Sequence, residues 1–169
     1  MQASDRTTDQ PPRDATPGGS SSARPLESTE HAARPPSGRV ETLLVVDDDD
    51  GVRKLISRVL EMQGFDVLAA PDGASALDLV RDYKGRLDLA VCDINMPGLS
   101  GGRLVAELAT LRPDLTFVYI SGYRVESPRE LTLADGAGRP IPFLSKPFSP
   151  TDLVLAVRGA LDRRRLTSG

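Results

Sequence analysis

The sequence predicts an α/β fold, a doubly wound parallel sheet of five strands with helices on both faces. Three observations predict it: short runs of wholly apolar residues, amphipathic helical stripes between them, and strict alternation of the two from Thr42 onward. Residues 1–40 read differently, with six of the chain's 14 prolines, a Gly-Gly-Ser-Ser-Ser run from Gly18 to Ser22 and no hydrophobic period. Such a segment cannot bury enough apolar surface to offset the entropy of ordering, so a disordered tail is expected there. Its acids and arginines balance, and it lacks the apolar core of a signal peptide. A chain of 169 residues then leaves room for one domain of about 100 to 150 residues. That domain is expected over 41–165, with 166–169 as a short C-terminal tail and no separate effector domain.

The elements follow in order. Leu43-Leu44-Val45-Val46 is continuous enough for a strand buried on both faces. Val52, Leu55, Ile56, Val59 and Leu60 make a helical stripe, with Gly64 placed to close it in a left-handed conformation. Phe65 to Ala69 reads as strand, Ala74 to Tyr83 as helix, Leu87 to Cys92 as strand, Gly102 to Leu111 as helix and Thr116 to Ile120 as strand. Ser127-Pro128-Arg129-Glu130 and Ser149-Pro150-Thr151-Asp152 each place Ser at the N-cap, Pro in the first turn and an acid at the third position, the pattern of a helix start. Between them Ile141 to Ser145 supplies a fifth strand, and Leu153, Ala156, Val157, Ala160 and Leu161 form the stripe of a fifth helix.

Charge narrows the function. Outside the tail, 24 − 5 = 19 acids face 21 − 5 = 16 bases, so the ordered part bears the whole net charge of −3 and offers no basic footprint for nucleic acid. The single Cys92 excludes an internal disulfide and a cysteine zinc site and reads as a small core filler, while His31 falls in the tail. No apolar run approaches the ~20 residues of a membrane span, so a cytoplasmic protein is expected. Arg163-Arg164-Arg165 reads as a solvated helix end, its cations placed against the helix dipole.

In such sheets ligands bind at the carboxyl ends of the strands. Here those ends are Asp47-Asp48, Asp93, Ser121-Gly122 and Lys146-Pro147, which bring three acids, a hydroxyl and an amine to one edge. Clustered carboxylates repel one another, and a hard divalent cation such as Mg²⁺ resolves the conflict. An EF-hand would need Glu eleven residues after Asp47, where Arg58 stands. Gly98-Leu99-Ser100-Gly101-Gly102-Arg103 lacks the Gly-Lys-Ser/Thr ending of a nucleotide loop and is read as shaping the loop after the third strand. Asp49 and Asp50 are read as helix N-terminal acids.

Val45-Val46-Asp47-Asp48, Asp93-Ile94-Asn95-Met96-Pro97-Gly98, Ser121-Gly122 and Lys146-Pro147-Phe148 resemble the motifs of two-component response-regulator receiver domains, over about residues 42–163. The resemblance implies a flavodoxin-like (βα)5 fold with strand order 2-1-3-4-5. It implies that Asp93 is the phosphoacceptor, taking a phosphoryl group from a histidine kinase or histidine phosphotransfer protein. It further implies Mg²⁺ held by Asp48, Asp93 and the backbone carbonyl of Asn95, with Asp47 acting through water. Lys146 would pair with a phosphoryl oxygen, the Lys146-Pro147 peptide being cis, and Ser121 and Phe143 would form the switch. Ser121-Gly122-Tyr123-Arg124 is similar to receivers at the ends of hybrid histidine kinases, and Asn95 and Tyr123 would set the lifetime of the aspartyl phosphate.

Two departures stand out. The switch aromatic is Phe143 where the family more often has Tyr, so it has no hydroxyl to offer a partner. Residues 126–140, with Gly136 and Gly138, are broken for a full fourth helix. The leading reading is a stand-alone receiver that signals by phosphorylation-dependent protein binding or phosphorelay to an unnamed target, catalysing only its own phosphorylation and dephosphorylation. A haloacid-dehalogenase-type phosphohydrolase would need a second acid where Asn95 stands. A receiver fold that no longer takes phosphate is the third reading.

Overall fold

The computed structural model describes residues 38–99, 101–122 and 140–167. Strands β1 (Thr42–Val46), β2 (Asp66–Ala70), β3 (Leu89–Asp93), β4 (Thr116–Ser121) and β5 (Phe143–Ser145) are parallel neighbours in the order β2-β1-β3-β4-β5. Helices α1 (Asp50–Met62), α2 (Gly73–Asp82), α3 (Gly101–Leu111) and α4 (Pro150–Thr167) complete the described elements. The helix start at Ser127-Pro128, residues 1–37 of the tail expected over 1–40, and Tyr123 lie outside the described residues.

Alternation along each strand sorts side chains to two faces, and each face meets its own helices. Leu43, Val45, Leu89, Val91, Val118 and Ile120 pack with Ile56 and Leu60 of α1 and Leu153, Val157 and Leu161 of α4. Leu44, Val46, Ala90, Cys92, Phe117 and Tyr119 pack with Leu77 and Val80 of α2 and Leu104, Val105 and Leu108 of α3. Cys92 is the buried core filler its position predicts. Truncating any of these large side chains to Ala forfeits about 2–5 kcal/mol through lost transfer energy and the cavity left behind.

Local chemistry sets the element ends. Asp49 caps α1 by accepting from the Val52 N–H at 3.0 Å, and Asp72 caps α2 by accepting from the Ser75 N–H at 2.7 Å. Ahead of α4 the Asp152 N–H donates to Ser149 Oγ at 3.1 Å while the Ser149 N–H donates to the Asp152 carboxylate at 3.0 Å, the reciprocal box its sequence predicts. Gly64, at φ +84°, takes the left-handed turn that ends α1. β5 begins at Phe143 and not at Ile141, because Pro142 has no N–H to give the ladder; its carbonyl accepts instead from the Tyr119 N–H at 2.8 Å.

The last helix runs through Thr167, and one expectation about it is corrected. Arg164 and Arg165, expected to stay solvated, turn back to the sheet and pair with Asp88 at 3.2 Å and Glu41 at 2.6 Å, which holds the final turns in place. Among the described residues no helix is long and apolar enough to cross a membrane.

Candidate functional site

Parallel strands of similar length end together, so whatever follows them shares one edge of the sheet. β1 delivers Asp47 and Asp48, β3 ends in Asp93, β4 ends in Ser121, and β5 leads into Lys146. Asp47 and Asp93 are buried, 1% and 5% exposed, whereas Asp48 faces solvent. Carboxylate oxygens of Asp47, Asp48 and Asp93 all lie within 4.8 Å of one another.

Lys146 Nζ donates to Asp47 Oδ2 at 2.8 Å and to Asp93 Oδ2 at 2.5 Å. The Lys146-Pro147 peptide is cis, as the resemblance implies. The Lys146 N–H also donates to the Ser121 carbonyl at 2.7 Å, which ties the start of this loop to the end of β4. Each buried carboxylate has a second donor: the Asp49 N–H reaches Asp47 Oδ1 at 2.9 Å, and the Asn95 N–H reaches Asp93 Oδ1 at 2.8 Å. Asp49 is therefore both a helix cap and a support for Asp47, while Asp50 pairs with Arg53 and Lys54 at the helix start, in keeping with their reading as helix-terminal acids.

Three carboxylates and one ammonium leave a formal charge of −2 at this edge. Burial pushes the Asp47 carboxyl above its ordinary range despite the bond from Lys146. Burial alone would pull the Lys146 ammonium down, but hydrogen bonds to Asp47 and Asp93 hold it above its ordinary value. The oxygen donors and the uncompensated charge fit a hard divalent cation, and the three acids could hold a metal ion.

Ser121 is buried, and its Oγ accepts from Asn95 Nδ2 at 2.8 Å. The residue two beyond Asp93 thus touches both the candidate phosphoacceptor and the candidate switch hydroxyl. Phe143 is half-buried against the core face that holds Tyr119, its neighbour across β4 and β5.

Three supports are absent from the motif reading. Arg53 Nη1 donates to the Asp47 carbonyl at 2.7 Å, bracing the β1–α1 turn. Asn95 holds Ser121 through its side chain. Gly101 opens α3 so close to the end of β3 that a Cβ there would lie 2.7 Å from Ile94 Cα and 2.8 Å from the Asp93 carbonyl oxygen. Only the last left a trace in sequence, the Gly101-Gly102 pair opening a helix.

A family profile for the response regulator receiver domain matches residues 43–158. The chain is 34% identical over 123 residues to the sensor kinase CckA of Brucella abortus, covering 73% of this chain and 13% of that protein. It is 37% identical over 126 residues to the transcriptional regulatory protein PrrA of Mycobacterium tuberculosis, covering 75% and 52%. The chain thus spans about half, or less, of the length of these curated relatives. Among solved structures, a receiver domain protein described as CheY-like from Methanospirillum hungatei superposes with a TM-score of 0.67 at 26% identity, covering 78% of this chain and all of that one.

Proposed function

The chain belongs to the response regulator receiver domain family, and from that premise we propose that it accepts a phosphoryl group on Asp93. The observation that supports this best is the sharing of Lys146 between Asp47 and Asp93 beside the exposed Asp48, an edge still two charges short of neutrality. Asp93 attacks the phosphorus of a phosphohistidine on a histidine kinase or phosphotransfer protein; the new O–P bond forms as the P–N bond breaks, and the electron pair leaves with the imidazole. Asp48, Asp93 and the Asn95 carbonyl would hold Mg²⁺, with Asp47 acting through water. When bound, that ion offsets negative charge on the transferring group.

Lys146 spends two of its three ammonium hydrogens on Asp47 and Asp93, so the third would meet a phosphoryl oxygen, and Ser121, whose Oγ accepts from Asn95, would turn its own hydroxyl hydrogen to the same group. Those rearrangements, with Phe143 beside them, would convert phosphorylation into a changed surface for a downstream protein in the cytoplasm. Asn95, already on Asp93 and Ser121, and Tyr123 would set how fast water removes the phosphoryl group. The domain boundaries at 41 and 165 and a stand-alone role belong to the same reading.

The test is intact mass analysis after incubation with acetyl phosphate and Mg²⁺, for wild type and Asp93→Ala. A single adduct of about 80 Da, absent from the variant, is expected. No adduct under any donor or metal condition would leave a receiver fold used only for binding, and an adduct surviving in the variant would move the site elsewhere.

A further inference from the structure

At the other edge of the sheet the charge balance reverses. Glu41 precedes β1 and Asp88 precedes β3, and both are buried, at 4% and 2% exposed. Arg39 Nη2 donates to both Asp88 oxygens at 2.8 Å or less, Arg86 Nε to Oδ1 at 3.1 Å and Arg164 Nη1 to Oδ1 at 3.2 Å. Arg165 Nη2 donates to Glu41 Oε1 at 2.6 Å, and Arg158 Nη1 stands 3.8 Å from Oε2. Over this cluster lies an open pocket of about 200 Å³ lined by four of these arginines, both carboxylates and Leu161.

The lining sums to +2, four guanidiniums less two carboxylates. Asp88 has no capacity to spare, since the Thr42 N–H also donates to Oδ2 at 3.1 Å and a carboxylate offers about four lone-pair sites. The arginines do have capacity. Arg86 spends only Nε there and Arg39 only Nη2, while each guanidinium presents five N–H donors in a planar fork. Both side chains are substantially solvent-exposed, 61% for Arg86 and 44% for Arg39, so their free forks can be approached. The crowding registers at Arg164, whose pKa is lowered by burial and then by the neighbouring Arg86.

We propose that this pocket binds a small dianion with a phosphate or carboxylate head, gripped by the free forks of Arg39 and Arg86 and bordered by Leu161. Bidentate acceptors of this kind match guanidinium geometry, and two negative charges balance the lining. Because Arg164 and Arg165 belong to α4, occupancy would fasten that helix to the sheet edge farthest from Asp93. The site does not depend on phosphorylation of Asp93.

The test follows arginine Nε–Hε signals of the full chain by NMR in Mg²⁺-free buffer. Inorganic phosphate is titrated in one arm and succinate in the other, with ionic strength held constant by sodium chloride. Saturable shifts at Arg39, Arg86, Arg164 and Arg165 in either arm are expected, the arm that saturates identifying the head group. Affinity should fall at least fivefold in Arg86→Gln and in Arg39→Gln, and hold in Arg81→Gln, a surface arginine paired with Asp78 on α2. Shifts that grow without saturation in both arms, or equal losses in Arg86→Gln and Arg81→Gln, would overturn the proposal.

Discussion

The two edges of this sheet bury carboxylates in the same way and neutralise them in opposite senses. At the carboxyl edge Asp47 and Asp93 share the single amine of Lys146, and Asp48 adds a third acid. At the amino edge Glu41 and Asp88 are outnumbered by arginines drawn from the segment before β1, the approach to β3 and the last helix. A buried carboxylate that the protein over-matches with its own cations is a fastening. One that it under-matches keeps a negative charge that folding alone does not relieve.

Perturbing the two edges should therefore have unequal results. The largest expected loss of stability is from Asp88→Ala, which removes the carboxylate that pairs with the largely buried Arg164 and accepts from the Thr42 N–H. Urea denaturation should register about 3 kcal/mol, the low end for a broken buried pair because Arg39 and Arg86 can turn to water. At the opposite edge Asp47→Asn should cost less than about 1 kcal/mol by the same measurement, since burial already disfavours the charge that is removed. A loss equal to that of Asp88→Ala would erase the distinction between over-matched and under-matched carboxylates.

Metal dependence sharpens the contrast. Millimolar Mg²⁺ should raise the melting temperature of wild type by a few degrees, chelation should reverse the rise, and Asp48→Asn should abolish it, because only a ligand that prefers the native state stabilises it. Asp88→Ala should keep the Mg²⁺ response while starting from a lower temperature. The smallest effect belongs to neither edge. Asp72 is held below its ordinary carboxyl range by the Ser75 N–H and hydroxyl, so its cap is intact above pH 3.8 and is lost as pH falls through the lower folded value. Helical circular dichroism followed through that window should drop slightly in wild type and lack this component in Asp72→Ala.

Much of this was legible in sequence because it depends on local pattern. Leu43 to Val46 shows no alternation because both faces are covered, and Gly64 and the Ser149 to Asp152 box announce helix ends with the residues their backbones require. Asp47, Asp93 and Lys146 come within bonding distance because parallel strands bring their ends together, whatever separates them along the chain. The amino edge was not legible in that way. Arg164 and Arg165 look like any charged helix end, and their pairing with residues 76 and 124 positions away depends on the angle at which α4 crosses the sheet. The same holds for Tyr119, a strand residue whose buried hydroxyl has no hydrogen-bond partner among the described residues, and for the amide of Asn95, whose grip on Ser121 no motif encodes.

The contact at Gly101 gives the loop after Asp93 an unusual mechanical character. The Gly101 N–H returns to the Ile94 carbonyl at 3.4 Å, and the bare Cα lets the start of α3 sit against the very peptide that the chain has just left. The excursion between them is a noose drawn shut at its neck. The closure falls between residues 94 and 101, so the chain rejoins the fold beside the strand end that carries Asp93. A methyl group at 101 would meet Ile94 Cα at 2.7 Å and wedge that neck open, parting the start of α3 from the end of β3.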